Sequence, residues 1–192
     1  MTNVALDYPC DLEDERPIEI VNGVEIPKMA ARPEHQNVVL GMIRVFDQHL
    51  RKGPCRLYFD TFVHLTPKEK YCPDFLIVCD HSKVVPGKGV FGAPDLVAEV
   101  LSPRTSKRDK GHKKDVYEKL GVQEYWIVDI KSLSLEVYIL NDEGRYELSN
   151  VYFATLTETE LEDMRTTATF TFKTSIFEDL IIDVREIFED LL

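Results

Sequence analysis

Residues 73–80 read PDFLIVCD, residues 94–103 read PDLVAEVLSP, residues 104–121 read RTSKRDKGHKKDVYEKLG and residues 124–130 read EYWIVDI. Three short apolar, β-prone runs flank one helix-like run. Two carboxylates, Asp74 and Glu99, fall at the start of or inside strands whose other residues favour burial. Such a group is costly to bury unless a cation, a proton or hydrogen-bond donors compensate it, so both mark a metal site or a catalytic group. Strand alternation puts Asp74, Leu76 and Val78 on one face and Phe75, Ile77 and Cys79 on the other. Taken alone, an Asp after Pro73 also reads as a turn former.

In the next run Leu96, Ala98 and Val100 face one way, and Asp95, Val97, Glu99 and Leu101 the other. Asp95 and Glu99 are four strand residues apart, about 13 Å at ~3.3 Å per residue, too far to hold one ion together. Glu99, with apolar neighbours, is the costlier to bury and the expected partner of Asp74; Asp95 reads as a cap at the strand entrance. Ser102-Pro103 ends the strand. A helix is expected from Thr105 or Ser106, either of which can cap it, to about Leu120, with Gly121 as the residue that stops it. Asp109, Lys113 and Tyr117 recur every four residues and share a face, drifting ~40° per step. That face presents a cation beside the two strand carboxylates.

Outward from this centre, IEIVNGVEI (18–26) reads as a β-hairpin around Asn22-Gly23. Glu19 in its first strand is either a solvent-facing hairpin glutamate or a third carboxylate at the site. From Pro33, the residues Val38, Val39, Met42, Ile43, Val45, Phe46 and Leu50 form a helical apolar stripe that Gly53-Pro54 ends. His35, in the first turn, is either a capping or surface residue or a group reaching the site. CRLYFDTFV (55–63) and Tyr71–Cys79 read as strands joined by polar TPKEK, and residues 80–94 as a glycine-rich loop. EYWIVDI, LSLEVYIL (133–140) and GRYELSNVYF (144–153) are further strands, with Tyr125 and Trp126 as core aromatics rather than a base-stacking platform. Residues 183–192 form a short amphipathic helix with Val184, Ile187, Phe188 and Leu191 on its apolar side.

The 192 residues suit one domain. The expected organisation is an acidic N-terminal arm over residues 1–16 followed by a single domain over 17–192. No apolar run nears the ~20 residues of a membrane span, and no signal peptide is evident at the start, so a cytoplasmic location is expected. Cys10, Cys55, Cys72 and Cys79 lack CxxC spacing and matching histidines, and read as reduced, mostly buried thiols with no disulfide and no structural zinc. The net charge of -11 argues against generic nucleic-acid binding. Yet Ser102–Lys119 carries seven Lys/Arg (Arg104, Lys107, Arg108, Lys110, Lys113, Lys114, Lys119) against three acids (Asp109, Asp115, Glu118), a local +4. The run is either a solvated helix face or a phosphate-facing one.

The ordered set Pro73-Asp74, Pro94-Asp95-Leu96-Val97-Ala98-Glu99-Val100-Leu101-Ser102-Pro103, Asp109, Lys113, Tyr117, Gly121-Val122, Glu124-Tyr125-Trp126 and Val128-Asp129 resembles the Uma-type restriction-endonuclease-like family, formerly a domain of unknown function, of the PD-(D/E)XK nuclease superfamily. Glu19-Ile20-Val21-Asn22-Gly23 and His35 extend the resemblance over nearly the whole chain from about residue 17. Two departures from the superfamily pattern stand out: the lysine expected two residues after Glu99 is Leu101, its role passing to Lys113 on the following helix, and the SPxT segment carries Arg104. The resemblance implies an α/β (α+β mixed) fold, a restriction-endonuclease-like central mixed β-sheet flanked by helices with the site at one sheet edge. It implies a Mg²⁺- or Mn²⁺-dependent endonuclease hydrolysing DNA phosphodiester bonds. Asp74, Glu99 and the Val100 backbone carbonyl would hold the ion, and Lys113 would act with Asp74 and Glu99 in catalysis. Glu19, His35, Asp95 and Tyr117 are additional candidates, and Arg104, Lys107, Arg108, Lys110 and Lys114 would contact nucleic acid. A homodimer is expected, because cutting both strands is simplest with two sites related by a two-fold axis. The competing expectation is an inactive nuclease-like module that binds a partner or dimerises.

Overall fold

A computed structural model describes residues 17–155, 159 and 170–192; the expected arm over 1–16 and most of the acidic stretch 156–169 lie outside them. Strands β1 (Ile18–Val21) and β2 (Val24–Pro27) form the expected hairpin. Asn22 and Gly23 both take positive φ (51° and 79°), as a two-residue turn matched to strand twist requires. Helix α1 (Pro33–Leu50) begins with Pro33 in its first turn, where a missing N–H costs nothing, and buries Val38, Val39, Met42, Phe46 and Leu50.

The chain between α1 and the next long strand departs from expectation. The run 55–63 is not one strand but two, β3 (Arg56–Tyr58) and β4 (Val63–Thr66), broken at Asp60 with φ 44°. The run 71–79 likewise divides into β5 (Glu69–Tyr71) and β6 (Phe75–Val78). Each break is a crossing between two sheets, since β3 and β6 pair with each other while β4 pairs with β5. The glycine-rich loop contains β7 (Val84–Val85) and β8 (Gly89–Phe91), too short to leave a sequence period. Then follow β9 (Leu96–Val100), α2 (Ser106–Arg108), a π turn (Asp109–Lys113), α3 (Lys114–Leu120), β10 (Glu124–Asp129), β11 (Ser134–Leu140), β12 (Tyr146–Phe153), β13 (Thr171–Lys173), β14 (Ile181–Asp183) and α4 (Val184–Ile187). Gly121 ends α3 at φ 83°, as expected. Thr105 does not cap α2: its hydroxyl turns back to Ser102. The C-terminal helix is shorter than expected, passing after Ile187 into one 3₁₀ turn (Glu189–Leu191).

The architecture is mixed α+β. The central sheet has the order β12-β11-β10-β9-β6-β3, with β9 and β10 parallel and every other pair antiparallel. The second has the order β2-β1-β5-β4-β8-β7, and β13 and β14 form a small ribbon. One face of the central sheet packs on α1 and α4 through Met42, Phe46, Phe75, Ala98, Trp126 and Ile187. The other packs on α3 and the second sheet through Val21, Tyr71, Val97, Tyr117, Tyr125 and Ile127. Tyr125 and Trp126 are both fully buried.

Cysteine pairing differs from expectation: Cys55 and Cys79 form a disulfide, while Cys72 is free and buried. The antiparallel register Arg56↔Val78, continued one residue, sets Cys55 across from Cys79. Sequence spacing cannot reveal this, because the strand pairing that makes it is long-range. Among the described residues no helix is long and apolar enough to cross a membrane.

Gly41 faces α4, and a Cβ built there would overlap the backbone carbonyl of Ile187. Gly41→Ala gains up to about 1 kcal/mol of helix propensity but forces α1 from α4. We expect a net destabilisation of ~1–3 kcal/mol, read as a lower urea midpoint at unchanged slope. Unchanged or raised stability would show that α4 yields freely.

Candidate active site

Strands β6 and β9 run antiparallel with Phe75 paired to Ala98, and one further step of that register sets Asp74 opposite Glu99. Both are interior strands of the central sheet. The site is therefore not at a sheet edge, as the resemblance implied, but on interior strands that β1 and the π turn cover. Glu19, on β1, is 2% exposed and belongs to this cluster rather than to the hairpin surface.

At its centre is the Lys113 ammonium. Its Nζ donates to Glu99 Oε1 at 2.8 Å and to Glu19 Oε1 at 2.9 Å, and lies 3.8 Å from Asp109 Oδ1. Tyr117 donates its hydroxyl to Glu99 Oε1 at 3.2 Å. Glu19 Oε1 also accepts from the Cys72 N–H, and its Oε2 pairs with Arg108 at 3.0 Å. On the other side, Asp74 Oδ2 accepts from the Val100 N–H at 2.9 Å and meets His35 Nε2 at 3.0 Å, while Lys28 Nζ lies 3.2 Å from Oδ1. Three buried atoms beside the cluster, His35 Nδ1, Arg108 Nε and Asp109 Oδ1, have no hydrogen-bond partner.

The two strand carboxyls are driven apart. Burial would raise Asp74, but the hydrogen bond and charge of His35, the Lys28 ammonium and the Val100 N–H outweigh it and hold this carboxyl at about 2. Burial pushes Glu99 up to about 8 against the pull of Lys113, with Asp109, Asp74 and Glu19 adding to the rise. The Lys113 ammonium meanwhile moves up, because the carboxylates around it more than offset its burial. One cation divided among Glu99, Glu19 and Asp109 is secured by all three but satisfies none fully, and the shortfall is met by the proton that Glu99 retains.

Among the described residues no three His, Cys, Asp or Glu side chains converge as a ready-made metal cage. The donor set nonetheless fits a hard divalent cation. Asp74 and Glu99 present oxygen atoms from neighbouring strands at the end of β9 where Val100 lies, and Mg²⁺ needs only one or two carboxylates, water completing its shell. Ammonium groups already stand on both carboxylates, and the upward shift of Glu99 is that of a site short of positive charge.

The structure brings Asp74, Glu99, Lys113, Glu19, His35, Tyr117 and Val100 together. It does not bring Asp95, which accepts from the Cys79 N–H at the entrance of β9. The basic residues separate: Arg108 turns inward to Glu19, Lys110 pairs with Glu136, Lys114 lies 3.7 Å over the Tyr138 ring, and Arg104 and Lys107 are exposed. Sequence reasoning missed three neighbours. Glu69 accepts from the Tyr71 hydroxyl and the Asn22 N–H and meets His112 Nε2 at 3.1 Å. The alternation of Glu69 and Tyr71 was a usable signal inside a segment read only as a polar connector. Lys28, beside Asp74, left none.

A model of the Uma2 family, described as "Putative restriction endonuclease", matches residues 5–172. An uncharacterized protein of Synechocystis sp. is 29% identical over 119 residues, 60% of this chain; the alignment spans 62% of that relative's length, less than two thirds. A crystal structure of "a putative nuclease belonging to DUF820" from Anabaena variabilis shares the fold with a TM-score of 0.69 at 18% identity, over 94% of each chain.

The raised Glu99 carboxyl fixes the sign of a pH effect. Between its ordinary value of 4.5 and about 8 the folded protein holds a proton that the unfolded chain has released, so stability falls as pH rises through this window. Asp74, held low, loses stability only in acid, as pH falls toward 2. Urea unfolding at pH 5 and pH 8 should show a decline of roughly 1 kcal/mol or more that Glu99→Gln removes. The same decline in both proteins would mean that Glu99 is ionised throughout.

Proposed function

The chain belongs to the Uma2 family, and on that premise we propose that it is a metal-dependent nuclease that hydrolyses DNA phosphodiester bonds at the Asp74–Glu99–Lys113 cluster. The observation that carries this reading is the buried Lys113 ammonium held between Glu99 and Glu19, beside a second strand carboxylate, Asp74. Burial of mutually repelling carboxylates costs stability, and such a cost is typical of a site kept for chemistry.

Asp74 and Glu99, with the backbone carbonyl of Val100, would hold Mg²⁺ or Mn²⁺. When bound, such an ion supplies Lewis acidity to phosphoryl oxygens and makes water a better nucleophile at neutral pH. The chain's own groups divide the remaining work. Asp74, ionised at any physiological pH, offers oxygens without first losing a proton. Glu99 carries a proton over much of that range and gives it up as positive charge arrives. Lys113, fixed by two carboxylates and oriented further through Tyr117 on Glu99, is placed to orient the attacking water and to donate to negative charge as it develops on phosphorus. Glu19 positions Lys113 and Arg108 rather than meeting the reaction directly. Arg104 and Lys107 are exposed cations available to the nucleic-acid backbone. Two copies related by a two-fold axis would serve both strands of a duplex.

A second reading, a nuclease-like module that binds without cleaving, is favoured by one observation: both ammonium groups sit on the carboxylates a metal would need. Calorimetric titration separates the two, since the nuclease reading requires Mn²⁺ binding that disappears in Asp74→Asn and Glu99→Gln along with cleavage of plasmid DNA. Cleavage retained in both variants would sink the assignment. Lys113→Ala should lower turnover by about 10²-fold or more with little change in DNA affinity. Lys107→Ala should weaken binding and reduce its salt dependence by about one counterion. A Lys113 effect confined to affinity would make the helix an electrostatic surface only.

A further inference from the structure

The Lys28 ammonium is surrounded by three oxygens, with one thiol sulfur further out. Nζ donates to Asp60 Oδ1 at 2.6 Å, to the Cys72 carbonyl at 2.9 Å and to Asp74 Oδ1 at 3.2 Å, with Cys72 Sγ 3.9 Å away. The three oxygens come from separate segments. Asp60 is the positive-φ residue at the break between β3 and β4, Cys72 lies between β5 and β6, and Asp74 leads into β6. Lys28 follows β2, and its backbone N–H is held by the Pro17 carbonyl, so the start of the side chain is fixed while its tip reaches inward. Two carboxylates and a carbonyl are hard donors of the type a divalent cation selects over an ammonium.

We propose that Lys28 is a tethered cation that fills the Asp74 side of the site until a divalent ion displaces it. Ion binding and release of this side chain are then one coupled event. The proposal rests on the reading of Asp74 as a metal ligand.

Two features make release feasible. The Lys28 side chain is 19% exposed, so solvent lies along its path, and its flexible four-carbon stem lets the ammonium swing out without moving backbone. Lys113, by contrast, is 2% exposed and held on two sides by carboxylates. Of the two ammonium groups on the site, Lys28 is the one that can leave. Its occupancy lowers the apparent affinity for the ion by the fraction of molecules in which the cage is free. In exchange, the buried Asp74 carboxylate is never left uncompensated before the ion arrives.

The test is amine labelling of the wild-type protein by reductive methylation, read by mass spectrometry with and without saturating Mn²⁺, beside Mn²⁺ calorimetry on wild type, Lys28→Met and Asp74→Asn. Labelling of Lys28 should rise several-fold with Mn²⁺ while that of exposed Lys68 stays constant. Lys28→Met should bind Mn²⁺ about tenfold more tightly. Labelling of Lys28 unmoved while wild type binds Mn²⁺ through Asp74 would overturn the tether alone, and would do so even if Lys28→Met binds more tightly, since removing a nearby positive charge suffices for that. Absence of Mn²⁺ binding in both wild type and Lys28→Met would overturn the metal reading and the tether with it.

Discussion

One ammonium group, Nζ of Lys113, joins three elements distant in sequence: β1 of the second sheet through Glu19, β9 of the central sheet through Glu99, and the helical segment that carries the lysine itself. Without it, Glu19, Glu99 and Asp109 would face one another across a buried interface. Buried ion pairs of this type seldom repay the removal of their charges from water, so the contact is better understood as a constraint than as a source of stability. It ties the second sheet to the central one, because β1 and β9 each bring a carboxylate to the same ammonium. The surrounding tyrosines reinforce this: the Tyr71 ring lies beneath the ammonium at 5.2 Å and meets the Tyr117 ring edge-on.

The constraint also explains the uneven distribution of proton affinity across the cluster. Asp74 has its own supporters, His35, Lys28 and a backbone N–H, and is ionised at little cost. Glu99 shares its cation and is not. Two carboxyls on adjacent strands thus differ greatly in their hold on a proton through environment alone, and this asymmetry makes the pair responsive to any cation that arrives between them.

How much of this could be read in advance depended on whether the signal was local. Asp74 and Glu99 declared themselves as carboxylates in apolar strands, and the four-residue recurrence of Asp109, Lys113 and Tyr117 placed a cation beside them. The hairpin at Asn22-Gly23, α1 and the stop at Gly121 follow from turn and helix chemistry within a few residues. What escaped was long-range. The breaks at Asp60 and Cys72-Pro73 look like continuous strands because the sequence does not show that the chain is passing between sheets. The Cys55–Cys79 bridge needs the register of β3 on β6, and the contact of Lys28 with Asp74 joins residues 46 apart. Glu19 and His35 were open choices for the same reason: burial is decided by a partner the local sequence does not contain.

The π turn at Asp109–Lys113 has a consequence for how the helix keeps time with the sheet. An α-helix advances four residues in slightly more than one revolution, so Asp109, Lys113 and Tyr117 would creep steadily around its circumference. A wider turn, with its bonds running five residues back, takes up the surplus and resets the phase between α2 and α3. Arg108, just before the π turn, and Lys113, its last residue, both reach Glu19. Within segment 106–120, Lys113 in the π turn and Tyr117 one turn beyond it both point at Glu99. The length of this segment, together with the identity of Lys113, sets where the ammonium meets the two carboxylates.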